Sequence, residues 1–304
     1  MIRDRDLAWP ALPLEAWQGT YDTLHMWLQI VGKVRLALSP HVNHWWEVPL
    51  YVTARGLTTS PIPYRDGAFE VRLDFLDHQL DIESSWGSRR ALPLKTQAVA
   101  DFYAEFMAAL ADVGVEVKIW TMPVEFPNPI RFEEDRTHAS YDREYAHRCW
   151  RALLTADTIC KEFRARFLGK DSPVHLFWGS FDLAVTRFSG RRAPPRPDAD
   201  AMMREGYSHE LISAGWWPGG QGIGAAFYAY AAPEPPGFSD APRAPGASYD
   251  AKLHEFLLPW DEVRRAADPK AAVLEFLQTT YEAGASLGHW DRAALECPRP
   301  WPTA

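Results

Sequence analysis

The sequence predicts an α+β protein made of two related halves, each running helix, antiparallel strands, helix. Apolar residues at three- and four-residue spacing indicate helices, and apolar-polar alternation indicates strands, as in 68–75 and 80–84. The segments 98–114 and 272–288 also align without a gap. They share the pairs Ala98/Ala272, Val99/Val273, Phe102/Phe276, Ala109/Ala283, Ala111/Ala285 and Gly114/Gly288. This match indicates an internal duplication with a pseudo-two-fold arrangement.

In the first half, the periodicity predicts a helix over 20–38, ended by Pro40. A strand over 45–55 follows, and Pro49 places it at a sheet edge or at a bulge. A hairpin turns at Asp77 and His78. Thr96 can cap a second helix, and the alternation over 115–120 predicts another strand.

In the second half, Asp142 is the expected cap of a long helix over 143–168. Short strands are predicted over 225–231 and 254–258, and the last long helix starts near Pro269. Three stretches rich in proline and glycine are predicted to be loops, which either form a lid over a pocket or only connect the neighbouring elements. These are 190–207, 216–224 and 233–248.

These elements give a domain plan with a proline-rich connector at 122–136, taken as the boundary between the halves. The predicted domains are, in order, an N-terminal arm at 1–19, the first half at 20–121, the connector, the second half at 137–296 and a tail at 297–304.

Composition restricts the classes of function. The chain has 304 residues, 47% of them apolar, a net charge of -8 and a pI near 5.7. The acidic balance argues against nucleic acid as a partner, and no apolar run is long enough for a membrane span. The first residues lack the apolar core of a secretory signal, so a cytoplasmic protein is expected. The chain has three cysteines and no CxxC pair, which favours free thiols.

Two histidines are the leading candidates for chemistry. His44 and His175 each follow a Ser-Pro pair near the start of a predicted strand. If the halves pack about a pseudo-two-fold axis, the two rings can converge on one cleft at the boundary, where Asp182 and Glu255 would complete a catalytic His/carboxylate site. Together with His209, His44 and His175 could instead hold a divalent metal. The HxxH spacing of His41 and His44 is weak evidence for this, because it lies in a loop.

Other residues were considered for substrate binding. Arg55 and Arg187 end their strands and could hold an anionic substrate, or simply form ion pairs. The 14 tryptophans either fill cores or line a pocket; Trp45, Trp178 and Trp216 are the expected pocket residues.

Three further residues lie at the connector. Asp135, His138 and Asp142 could bind a ligand at the start of the long helix, although capping alone explains Asp142.

Several phrases resemble one known family. They include NHWW, LYVTARGLTTSPIPY, DFYAEFMAAL, SPVHLFWGSFDLAVTRFSGR and WPGG, and the likeness runs from about Trp9 to Glu296. The chain resembles a bacterial family catalogued as a domain of unknown function, number 5996. The resemblance implies a bacterial origin and assigns no activity, cofactor or site residue.

The sequence thus favours a small-molecule enzyme with a His/carboxylate site, with or without a divalent metal. Two alternatives stay open: a small-ligand-binding protein with an aromatic pocket and no chemistry, and an interaction module with exposed aromatics. The sequence gives no substrate, reaction or oligomeric state.

Overall fold

The computed structural model describes residues 7–220 and 222–297. Residues 1–6 of the predicted arm and 298–304 of the predicted tail lie outside this range. The chain forms two compact units. The first contains the chain up to Val42 together with Trp46–Leu154 and Leu176–Asp182; the second contains Asn43–Trp45, Thr155–His175 and the chain from Leu183 onward.

The first unit contains an antiparallel sheet of six strands within the described residues. Its strands are β1 (Tyr51–Val52), β2 (Gly56–Thr58), β3 (Ile62–Tyr64), β4 (Gly67–Asp74), β5 (Gln79–Ser84) and β6 (Arg89–Pro93). The order is β1-β2-β4-β5-β6, and β3 also pairs with β4. The predicted hairpin is confirmed, with Val71 opposite Ile82. The apolar positions of β4 and β5 are buried, and they share one face because alternate residues of a strand point to the same side.

Helices α1 (Leu14–Leu38) and α2 (Val99–Asp112) pack together in this unit, where Trp27 stacks on Phe102 with ring centroids 4.6 Å apart. Helix α1 begins six residues before the predicted start at Thr20. Helix α3 (Arg143–Arg164) belongs to this unit as far as Leu154. Asp142 caps α3 as expected, because its Oδ1 accepts from the backbone N–H groups of Glu144 and Tyr145.

Three predictions about the first half are wrong. The segment 45–55 is not one strand: Asn43–Trp45 forms a 3-10 turn and β1 has only two residues, since Pro49 has no N–H for a ladder. Residues 115–120 are irregular. Thr96 donates its hydroxyl to the backbone oxygen of Tyr141, 3.2 Å away, and α2 starts without a side-chain cap.

The second antiparallel sheet also has six strands within the described residues. They are β7 (His175–Phe177), β8 (Asp182–Arg192), β9 (His209–Gly220), β10 (Ile223–Ala232), β11 (Ser248–Asp250) and β12 (Glu255–Pro259), in the order β11-β12-β10-β9-β8-β7. Four helices follow β8 in the part of the chain that the structure describes: α4 (Ala201–Gly206), α5 (Trp260–Arg265), α6 (Pro269–Leu287) and α7 (Arg292–Leu295). In the core of this unit, Trp216 meets Trp260 edge-on at 5.5 Å, and α5 and α6 pack on the sheet.

The predicted loop at 216–224 is wrong, because residues 216–220 belong to β9 and residues 223 and 224 to β10. Gly219 and Gly222 adopt positive φ values of +101° and +84°, which glycine reaches without the steric cost of a Cβ. Gly219 and Gly222 therefore belong to the hairpin of β9 and β10 and not to a long loop. The predicted strands at 225–231 and 254–258 are confirmed.

The structure confirms the α+β class with antiparallel sheets, while the internal duplication stays a prediction. Among the described residues, each helix is too short or too polar to cross a membrane.

Candidate functional site

A histidine-lysine pair lies in the second unit, where the 3-10 turn of Asn43–Trp45 meets the end of α4. The ring of His44 is only 6% exposed. Its backbone N–H donates to Glu205 Oε1 over 3.1 Å, and its Nδ1 lies 3.3 Å from the carbonyl oxygen of Gly206. The last residues of α4 therefore hold both the main chain and the ring of His44.

The other ring nitrogen of His44 faces Lys170, with 2.7 Å between Nε2 and the lysine Nζ. A carbonyl oxygen can only accept, so Nδ1 must carry the proton that binds Gly206. Nε2 is then an acceptor, and the ammonium of Lys170 donates to it. The lysine backbone is also fixed, because the N–H of Phe188 in β8 donates to its carbonyl oxygen at 3.0 Å.

More basic groups border this pair. The ring of His209, the first residue of β9, lies 5.5 Å from that of His44, and Phe188 lies 4.8 Å from His44 on another side. Arg192 pairs with His209 across the β8-β9 ladder, so both side chains leave the same face of the sheet. Lys170, His209 and Arg192 form a basic surface beside the buried ring.

The surroundings of His44 and Lys170 lower the pKa of both side chains. Burial lowers the pKa of His44, and the charges of Lys170 and His209 lower it further. Partial burial also lowers the pKa of Lys170. For His209, burial and then Arg192 and Lys170 lower the pKa. At neutral pH His44 is therefore neutral, as an acceptor for the Lys170 amine must be.

The backbone at this turn is strained. His44 has φ +62° and Trp45 has φ +61°, both in the left-handed region that residues with a Cβ seldom adopt. Each such residue costs on the order of 1 kcal/mol or more. The contacts of His44 with Glu205 and Gly206 hold this conformation, and such strain is concentrated at functional sites.

The other predicted catalytic residues lie at the starts of other strands. His175 starts β7 and is 1% exposed. Asp182 starts β8 in a residue range that belongs to the first unit, and it accepts a hydrogen bond from the hydroxyl of Ser180. Glu255 starts β12, and its charge adds to burial and Tyr207 in raising the pKa of Tyr230. Their catalytic roles stay predictions.

The two predicted arginines differ in environment. Arg55 is exposed and forms ion pairs with Asp74 and Asp77. Arg187 is buried among rings, with its guanidinium carbon 3.5 Å from the centroid of Phe163 and 4.3 Å from that of Tyr281. Burial lowers the pKa of Arg187 to about 10. Its Nη2 donates to the Phe163 carbonyl oxygen, while Nε and Nη1 have no hydrogen-bond partner within the described residues. A substrate role for either arginine stays a prediction.

The predicted pocket tryptophans mostly fill cores. Trp216 is fully buried against Trp260. Trp178 is buried in the first unit, and its indole N–H donates to the carbonyl oxygen of Val48 at 2.9 Å. Trp45 is half-buried in the strained turn. Their role in substrate binding stays a prediction.

The predicted metal site has no ligand cluster to support it. Across 7–220 and 222–297, no group of three or more His, Cys, Asp or Glu side chains could hold a metal ion. His44 and His209 come together, but His41 instead binds Glu47 in the first unit, with 2.9 Å between Nδ1 and Oε1. We therefore build no chemistry on a metal.

The connector residues of the first unit form an Asp-His pair. Asp135 is fully buried, and its Oδ2 lies 2.7 Å from His138 Nδ1. Its Oδ1 accepts from the backbone N–H groups of Thr137 and His138, both at 3.0 Å. The carboxylate thus organises the connector around the ring of His138, and the capping role of Asp142 accounts for that residue.

Sequence reasoning found His44 and His209 but missed Lys170, Glu205 and Arg192. One signal was present: Lys170 stands just before the Ser-Pro pair that leads to His175. Glu205 gave none, because its contact with His44 joins residues 161 positions apart.

Fold and site together define an α+β protein with two antiparallel sheets and a strained histidine paired with a lysine. The chain belongs to the Family of unknown function (DUF5996), whose model matches residues 9–297, nearly the whole chain. The resemblance seen in the motifs is thereby confirmed. No curated protein and no solved structure matches the chain.

Proposed function

We propose that this protein is an enzyme that transfers a proton to or from a small anionic molecule at the site formed by His44 and Lys170. The observation that carries the proposal is the 2.7 Å contact between Lys170 Nζ and His44 Nε2, made by a histidine whose backbone is held in the left-handed region. A strained backbone that aims a buried ring at a lysine favours a functional role.

In this proposal Lys170 carries the proton and His44 is a positioning residue. Lys170 is exposed to solvent whereas His44 is buried behind it, so a substrate meets the lysine first. His44 orients the amine through Nε2. Because the pKa of Lys170 lies below its ordinary value, the free amine is present at a larger fraction near neutral pH and can act as a base.

The charges around the pair favour an anion. Lys170 and Arg192 are cationic and flank His209, while the nearby carboxylate of Glu205 is engaged by the backbone N–H of His44. A carboxylate or phosphate group of a substrate would be attracted to this basic surface.

This proposal keeps the small-molecule enzyme that the sequence favours, in its metal-free form, but replaces the predicted His/carboxylate site with the pair of His44 and Lys170. The cytoplasmic location, the bacterial origin and the duplication of the halves stay proposals that rest on the sequence alone.

The test is a thermal-shift screen of the whole chain against inorganic phosphate and a set of mono- and dicarboxylates, using wild type, Lys170→Met and Lys252→Met. Lys252 is an exposed lysine of the second unit that lies outside the site of His44 and Lys170, and it serves as the matched control. We expect at least one anion to raise the melting temperature of wild type and Lys252→Met but not of Lys170→Met.

Any carboxylate that binds is then incubated with the protein in D₂O, and exchange of its carbon-bound hydrogen is followed by NMR. Exchange that depends on Lys170 supports the enzyme. Binding without exchange supports the ligand-binding alternative, and equal binding by Lys170→Met contradicts the site.

A further inference from the structure

An aromatic box surrounds a lysine in the first unit. Lys33 lies on α1 and is only 5% exposed. Its Nζ lies 4.5 Å from the ring centroid of Trp120, 5.8 Å from that of Trp178 and 6.0 Å from that of Phe132. We use the name aromatic box for these three rings.

Lys33 is unusual because its ammonium is buried without an anion. Buried lysines are normally paired with a carboxylate. Within the described part of the chain, the interactions of Lys33 Nζ are those with the three rings. Burial alone lowers the pKa of Lys33 to about 8. The rings stabilise a cation through their quadrupoles, but less than water or a carboxylate would.

The walls of the aromatic box are fixed by specific packing. Gly32 leaves room for Trp178, since a Cβ at that position would lie 2.3 Å from the indole ring. The indole N–H of Trp178 is bound to Val48, and the backbone N–H of Phe132 donates to Thr121 at 3.0 Å. Trp120 is the exception, with 62% of its surface exposed. The amine therefore lies directly beneath a ring that faces solvent.

We propose that Lys33 is a reactive amine that condenses with the carbonyl group of a small aldehyde or ketone. The neutral amine adds its lone pair to the carbonyl carbon and gives a carbinolamine. One nitrogen proton moves to the oxygen as the carbinolamine forms, and loss of the hydroxyl group together with the remaining nitrogen proton yields an imine and one water molecule, without change of oxidation state. Protonation of the imine gives an iminium cation, which the same three rings can stabilise.

The composition of the aromatic box suits this reaction. With a pKa of about 8 in place of 10.5, the fraction of free amine at pH 7 rises roughly 300-fold. The three walls are aromatic rings, so they contribute no carboxylate that would stabilise the protonated form of Lys33. This site is separate from the function proposed for the second unit and does not depend on it.

The test is reductive alkylation of the full chain with acetaldehyde and sodium cyanoborohydride at pH 7, followed by peptide mass spectrometry over time. Lys118 is the internal control, because it is exposed and lies two residues before Trp120. We expect Lys33 to be ethylated at least tenfold faster than Lys118, in spite of its burial. An equal or slower rate at Lys33 would overturn the proposal and leave a structural cation.

Two variants separate reactivity from access. Trp120→Ser opens the aromatic box to water, so the pKa of Lys33 should move back up and its ethylation should slow at least threefold. A faster reaction in Trp120→Ser would mean that the ring only blocks access, which contradicts the proposal. Lys118→Arg should leave the rate at Lys33 unchanged; a slower rate there would overturn the assignment. Trp120 is largely exposed, so its replacement leaves the core intact.

Discussion

At the scale of single residues, this protein places several basic groups where their ordinary protonation is disfavoured. His44 is buried beside a lysine, Lys33 is enclosed by rings, and His25 lies inside the first unit. Burial is the largest cause in all three, because it disfavours the charged form. The first two carry our proposals, and the third has a direct consequence for stability.

His25 predicts a loss of stability in mild acid. Burial lowers its pKa from 6.5 to about 4, against hydrogen bonds from its Nε2 to the carbonyl oxygens of Gly179 and Trp178, which raise it. Below pH 6.5 the ring of His25 binds a proton in the unfolded chain. In the folded chain it binds this proton only when the pH falls to about 4. The free energy of unfolding should therefore fall by about 3 kcal/mol between these pH values.

Urea unfolding at several pH values measures this effect. His25→Gln keeps a donor for the carbonyl oxygens but has no titrating ring, so its stability should depend less on pH. His254→Gln, at an exposed histidine, is the matched control for the loss of an imidazole ring elsewhere in the chain. An unchanged pH dependence in His25→Gln would show that other groups are responsible.

At the scale of elements, the helices were predicted better than the short strands. Val99, Phe102, Phe106 and Leu110 recur in α2 at the three- and four-residue spacing that predicts a helix, and all four side chains are buried. Alternation also found the β4-β5 hairpin. It failed at 115–120, where an alternating pattern belongs to an irregular segment, because periodicity does not show whether a ladder partner exists. It failed again at 216–224, where glycines typical of loops form a hairpin.

The packing of α1 depends on a glycine. A Cβ at Gly32 would lie 2.3 Å from the indole of Trp178, and that indole is fixed by its hydrogen bond to Val48. We expect Gly32→Ala to lower the free energy of unfolding by about 2 kcal/mol, even though alanine favours helices.

Gly19→Ala is the matched control on the same helix. Its Cβ would lie 3.2 Å from Ser140 Cβ at the nearest, a contact that small adjustments can relieve. Thermal or urea unfolding of both variants should show a loss for Gly32→Ala and little change for Gly19→Ala. Equal effects would contradict the role of Gly32 in admitting Trp178.

At the scale of the whole molecule, the sequence predicted the α+β class and the family but only part of the candidate site. His44 stood out as a histidine near the start of a predicted strand, and His209 as a candidate metal ligand. Lys170 and Glu205 could not be linked to His44, because their contacts with it span 126 and 161 positions. The positive φ values of His44 and Trp45 could not be predicted from the sequence either, because neither residue type requires the left-handed region.

The central claim is that Lys170 and His44 form a proton-sharing pair, and NMR of protein labelled with ¹⁵N at histidine tests it most directly. We predict that His44 carries its proton on Nδ1 and titrates below 6.5, and that Lys170→Met raises its pKa because a neighbouring cation is removed. A proton on Nε2, or an ordinary pKa that Lys170→Met leaves unchanged, would contradict the pair.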